Sequence, residues 1–121
     1  MATILIVEDN RDNMDLIEEI LEDEGYAMLQ AYVAEDGITL LSENTVDLIL
    51  MDVSLPQMSG LEATKIIKAN GKTRRIPLII LTAHARAEDR EEAFSAGCDA
   101  FLTKPIDEDD LLATIEKYIN A

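Results

Sequence analysis

Five residues carry the chemistry of this sequence: Glu8, Asp9, Asp52, Thr82 and Lys104. Each follows or closes a short apolar run. Ile4-Leu5-Ile6-Val7 leads into Glu8-Asp9, Leu48-Ile49-Leu50-Met51 into Asp52, and Leu78-Ile79-Ile80-Leu81 into Thr82. The shorter Ala100-Phe101-Leu102-Thr103 leads into Lys104-Pro105. Uninterrupted apolar runs of this length suit strands buried on both faces. Parallel strands deliver their carboxyl ends to one edge of a sheet, so these polar groups are expected to converge in one crevice. Three carboxylates gathered there repel one another, and some must protonate or be neutralised. A hard divalent cation does this best, and oxygen ligands favour Mg²⁺. No His or Cys cluster exists to suggest zinc. Mg²⁺, a lysine and a hydroxyl are the parts that hold a phosphoryl group. One carboxylate can then act as nucleophile and form an aspartyl phosphate.

The elements that must position these groups alternate along the chain. Ala27-Met28-Leu29-Gln30-Ala31-Tyr32 is more mixed than the central runs, as an edge strand would be, and Ala100–Thr103 reads as the other edge. Between strands, Leu16, Ile17, Ile20 and Leu21 give the core face of a first helix, with Met14 and Asn13 off that face. Gly25 marks its end. Ala34, Ile38 and Leu41 give a second helix. Leu61, Thr64, Ile67 and Lys68 give a third, ending near Asn70-Gly71. Ala87 to Gly97 reads as a helix with a thin core face, Ala93 and Phe94 supplying most of it, and is thus a candidate for movement. Leu111, Leu112, Ile115 and Ile119 give the last helix. A strand and helix repeated five times predicts an α/β domain with a parallel sheet and right-handed crossovers.

Composition excludes several classes. The chain has 121 residues, enough for one domain, and 48% hydrophobic residues, enough for a core. Its net charge of −15 repels phosphate backbones and anionic membrane surfaces, so neither direct nucleic-acid binding nor membrane insertion is expected. No apolar run is long enough to span a bilayer, and the N-terminus lacks the positive region of a signal peptide. The single Cys98 fits a reducing, cytoplasmic setting, as a small buried residue.

Four segments together resemble the response-regulator receiver domains of bacterial two-component signalling. They are Val7-Glu8-Asp9-Asn10, Leu50 to Gly60 with Asp52 at their centre, Ile80-Leu81-Thr82-Ala83, and Phe101-Leu102-Thr103-Lys104-Pro105. The resemblance covers essentially the whole chain. It implies a flavodoxin-like strand order 2-1-3-4-5 with helices on both faces. It also implies a role for each residue. Asp52 is the phosphoacceptor. Asp9, Asp52 and the Ser54 backbone carbonyl hold Mg²⁺, with Glu8 reaching the metal through water. Lys104, the Thr82 hydroxyl and the Ala83 N–H bind the phosphoryl oxygens. Phe101 turns inward when Thr82 moves, Ser54 and His84 tune attack by water, and Lys104-Pro105 stands where the family often has a cis peptide.

The resemblance implies a sensor histidine kinase or histidine phosphotransfer protein as donor. It implies a downstream protein reading the face made by the fourth helix, fifth strand and fifth helix, including Arg86, Arg90, Phe101 and Lys117. The self-catalysed gain and loss of phosphate would be its only chemistry. The chain is expected to form a single domain over residues 1–121, without a DNA-binding output domain. Plainer readings stand beside these. Thr82 could cap the next helix, Phe101 could be simple core, and His84 an exposed loop residue. Asp107 to Asp110 would balance a helix dipole. Three rivals stand beside the receiver reading. One is a Mg²⁺ phosphatase with an aspartate nucleophile, against which stands Ser54 where a second acid is needed. A second is a flavodoxin-like FMN carrier, against which stands Glu8-Asp9, which would repel the phosphate. The third is an interaction module that keeps the fold and is never phosphorylated.

Overall fold

The computed structural model describes residues 2–84 and 86–119. Five strands alternate with five helices: β1 (Thr3–Val7), α1 (Arg11–Asp23), β2 (Ala27–Ala31), α2 (Ala34–Glu43), β3 (Leu48–Asp52), α3 (Gly60–Ala69), β4 (Leu78–Thr82), α4 (Ala87–Ala96), β5 (Ala100–Thr103) and α5 (Glu108–Ile119). All pairings are parallel, as the alternating pattern predicts, and the order is β2-β1-β3-β4-β5, as the resemblance implies. The three continuous apolar runs fill the centre. Their residues from Ile4 to Val7, Leu48 to Met51 and Leu78 to Leu81 are wholly buried. The mixed runs take the edges. This is the burial expected when helices cover both faces of a sheet.

Side-chain alternation splits the core in two. Ile4, Ile6, Leu48, Leu50, Ile79 and Leu81 point to one face, where α1 and α5 cover them. Leu5, Val7, Ile49, Met51, Leu78 and Ile80 point to the other, under α2, α3 and α4. A slip of one residue in any central strand would exchange these sets.

The helix ends follow local chemistry. The Asn10 side chain accepts from the Asn13 N–H at 2.9 Å and starts α1, and Gly25, at φ 81°, lies just past its end. Ser59 accepts from Glu62 N–H at 3.2 Å and starts α3. Asp107 accepts from Asp110 N–H at 3.0 Å where α5 begins.

Three sequence expectations need correction. Met14 is fully buried, while Leu16 is 42% exposed. The core face of α1 runs Met14, Ile17, Ile20, Leu21 at steps of three and four, and Leu16 falls about 100° away from Ile17. Phe94 does not supply the core of α4. It is exposed, and Ala93 and Ala96 are the buried residues of that helix. Thr82 does not cap α4. Arg86 holds that position, its backbone N–H donating to the Asp89 carboxylate at 3.2 Å.

Candidate functional site

The strand ends assemble the site. Beyond Val7, the Glu8 N–H donates to the Ala31 carbonyl at 3.0 Å, so the β1–β2 ladder continues one residue past the strand. Asp52 is the last residue of β3, and Thr82 the last of β4. The Lys104 N–H donates to the Thr82 carbonyl at 2.7 Å, tying the end of β5 to β4. The Lys104–Pro105 peptide is cis.

The side chains then meet. The Lys104 ammonium donates to Glu8 Oε1 at 2.6 Å and to Asp52 Oδ1 at 3.1 Å. Glu8 Oε2 accepts from the Asn10 N–H at 3.1 Å, so both of its oxygens have partners. Glu8 and Asp52 are buried and Asp9 is exposed. One carboxylate oxygen from each of the three lies within 4.8 Å of the others. Ionised, they place three negative charges around one ammonium. Burial raises the pKa of Glu8, and the nearby Asp52 charge adds to this. The hydrogen bonds from Lys104 and Asn10 pull the other way and do not cancel it. Burial works against the Lys104 ammonium, yet its bonds to Glu8 and Asp52 outweigh it and raise its pKa above the ordinary lysine value. The cluster thus holds its one cation firmly and still lacks positive charge. An oxygen donor set of this kind suits a hard divalent ion.

The remaining expected residues lie around this centre. Thr82 is buried, and its Oγ1 accepts from the His84 N–H at 3.1 Å. A hydroxyl that accepts still has its own proton to donate. Ser54, Ala83 and His84 are exposed on the loops after β3 and β4. Phe101 is half-buried on β5. The Arg90 guanidinium lies 5.4 Å from its ring centre and 5.7 Å from that of Phe94. Arg86 pairs with Glu88 and Asp89 of its own helix, and the Lys117 ammonium lies 5.6 Å from the Tyr118 ring centre.

Sequence reasoning missed two positioning residues. Asn10 both starts α1 and donates to Glu8. Gly60 lets the start of α3 press against the end of β3. Its N–H donates to the Val53 carbonyl at 2.9 Å, and a Cβ built there would stand 2.0 Å from the Asp52 carbonyl oxygen. Only glycine permits that approach. A glycine after a strand-ending acid was visible in the sequence; the contact it makes was not.

Comparison with known proteins gives the same picture. A family model described as the response regulator receiver domain matches residues 4–116. The chain is 39% identical over 117 residues to the polar-differentiation response regulator DivK of Brucella anthropi, covering 97% of this chain and 95% of that one. It is similar to the receiver domain of a Pseudomonas aeruginosa sensor histidine kinase, solved with a magnesium ion coordinated in its active-site cleft. That pair has a TM-score of 0.92 and 35% identity, over 99% of this chain and 98% of the other. It also resembles the chemotaxis protein CheY4 of Vibrio cholerae, with a TM-score of 0.92 and 26% identity over 98% of each chain. With the family model matching residues 4–116 and a relative 39% identical over 97% of this chain, the chain belongs to the response regulator receiver domain family, the phosphorylation-dependent signalling modules of two-component systems.

Proposed function

We propose that Asp52 is the phosphoacceptor, and that this chain takes its phosphoryl group from a phosphohistidine on a sensor kinase or phosphotransfer protein. The observation that carries this reading is the Lys104 ammonium, 3.1 Å from Asp52 Oδ1 and clamped from the other side by Glu8. The donor set fits Mg²⁺, with Asp9, Asp52 and the Ser54 carbonyl as ligands. Glu8, whose oxygens both have partners already, acts through water. When bound, the cation supplies positive charge to the phosphoryl oxygens and to the carboxylates.

An Asp52 carboxylate oxygen attacks phosphorus in line. The P–O bond forms, the P–N bond of the donor breaks, and the departing imidazole keeps the electron pair and takes up a proton. Lys104 holds one phosphoryl oxygen. The Thr82 hydroxyl, oriented by the His84 N–H, donates to another, and the Ala83 N–H assists. The new group carries close to two negative charges and draws Lys104 and Thr82 toward it. Phe101 follows, and the surface of α4, β5 and α5 changes for a downstream protein. Ser54 and His84, exposed beside the acceptor, set the access of the water that removes the phosphate. We read residues 1–121 as one cytoplasmic signalling domain whose only chemistry is this self-catalysed gain and loss of phosphate.

Intact mass after incubation with acetyl phosphate tests the reading. Wild type with Mg²⁺ gains one phosphoryl group, and neither EDTA-treated protein nor Asp52→Asn does. A gain that survives Asp52→Asn would remove Asp52 from the role.

A further inference from the structure

The sheet face opposite α1 and α5 carries a groove that the site does not use. It lies between α2 and α3 and encloses about 250 Å³. Ile38, Leu41, Ile66 and Ile67 wall it, and Lys72 and Thr73 close one end. Leu41 and Ile67 are buried, but Ile66 is 45% exposed. An exposed isoleucine alone is ordinary. Here it borders a hollow next to a break in the charge pattern of the chain.

No Asp or Glu occurs from Ala63 to Ala87, while six of the ten Lys and Arg do. The rest of the chain carries all 25 acids against four cations. Three of the six cations look elsewhere. Lys68 is consumed by Asp99 and two carbonyls, Lys65 faces Glu88, Glu91 and Glu92 of α4, and Arg86 pairs with Glu88 and Asp89. Lys72, Arg74 and Arg75 on the α3–β4 turn are exposed, and among the described residues none of them forms an ion pair. Two acids stand near. Glu43 ends α2 beside the groove, and Asp47, in the hollow that Arg75 lines, accepts from the Thr3 N–H.

The turn presenting these cations is rigid. The Thr73 hydroxyl donates to the Ile67 carbonyl at 2.7 Å, the Lys72 N–H to Asn70 Oδ1 at 2.9 Å, and the Lys68 ammonium to the carbonyls of Arg74 and Ile76. A surface held in place before contact loses little entropy on binding. Its concavity suits inserted side chains, not a flat bilayer, and the −15 charge of the whole chain opposes an anionic membrane.

We propose that the α2–α3 groove docks a segment of a partner protein that inserts an aliphatic side chain and flanks it with carboxylates against Lys72, which lines the groove, and Arg74 on the same turn. The docking does not depend on the chemistry of Asp52. The test is selection of a random peptide display library on the intact protein, followed by fluorescence anisotropy with the leading synthetic peptide. Enriched peptides pair Leu, Ile, Val or Met with Asp or Glu. Affinity falls about tenfold in Lys72→Glu/Arg74→Glu and in Ile66→Ser, holds in Arg11→Glu, and weakens with salt. Circular-dichroism melts check that the variants fold. Neutral or basic winners, no winners, or binding indifferent to these substitutions would overturn the proposal. So would sedimentation with phosphatidylserine vesicles that is lost in Lys72→Glu/Arg74→Glu, since the cations would then serve a membrane.

Discussion

Two half-buried lysines sit at opposite ends of the sheet, and they differ in what surrounds them. Lys68 lies at the amino-terminal end of the strands. Its ammonium meets one carboxylate, Asp99 at 2.9 Å, and the carbonyls of Arg74 and Ile76. Asp99 in turn accepts from the Leu78 N–H at 2.8 Å, and its carbonyl accepts from the Tyr118 hydroxyl. One positive charge meets one negative charge, and every donor is used. Lys104 lies at the other end and meets Glu8 and Asp52, with Asp9 close by. One positive charge faces three negative ones. The balanced lysine is a staple joining α3 to β4 and β5. The unbalanced one marks a place short of positive charge, where an oxygen donor set suits a hard divalent ion.

Substituting each lysine separates the two roles. Lys104→Met should slow phosphoryl uptake about 100-fold, the scale of losing one preorganised donor to a developing charge. In the same variant Mg²⁺ affinity should hold or rise, because a competing cation has left. Mass spectrometry gives the first quantity and a metal titration the second. Equal loss of both would mean that Lys104 merely holds the pocket together. Lys68→Met should do the reverse. It strands a half-exposed carboxylate and two carbonyls, costing about 1–2 kcal/mol in urea unfolding. Its phosphoryl uptake should stay close to wild type, and a large drop there would erase the distinction between staple and site.

The smallest effect is a slope. With the pKa of Glu8 raised, the native state binds that proton more tightly than the unfolded chain does. The stability this adds is complete below the ordinary value of 4.5. It is lost as pH rises through the raised native value. In EDTA, the stability of wild type relative to Glu8→Gln should therefore climb as pH falls through that interval. Mg²⁺ should oppose the climb, because it favours the ionised carboxylates. Urea titrations at several pH values read both, and a slope of opposite sign without metal would mean that Lys104 outweighs burial.

Much of this contrast could be read from the chain before folding, because one end of the sheet writes itself into sequence more clearly than the other. Glu8, Asp9, Asp52, Thr82 and Lys104 each follow or end an apolar run, so strand direction alone gathers them. Lys68 reads as one more residue on the face of a helix. Its partners lie at Arg74, Ile76 and Asp99, and no periodicity connects those positions. The helix faces were legible to within one turn. Met14 and Leu16 exchanged places because the buried face of α1 starts at Met14, which belongs to the cluster of Ile4, Ile6, Leu48 and Leu50, and continues at Ile17, three residues on. Phe94 is the largest apolar side chain on α4 and yet is exposed. On α4 the sheet accepts only Ala93 and Ala96, and the larger ring lies outside against Arg90.

The contact between Gly60 and the Asp52 carbonyl has a consequence for how this sequence can change. At Gly71 an added Cβ meets nothing within 4 Å, so that position is free to drift. At Gly60, eight residues beyond Asp52, even alanine must displace backbone. A saturation library scored on folded protein should return many letters at position 71 and one at position 60. The vocabulary around Asp52 is thus limited by a residue whose side chain is a single hydrogen.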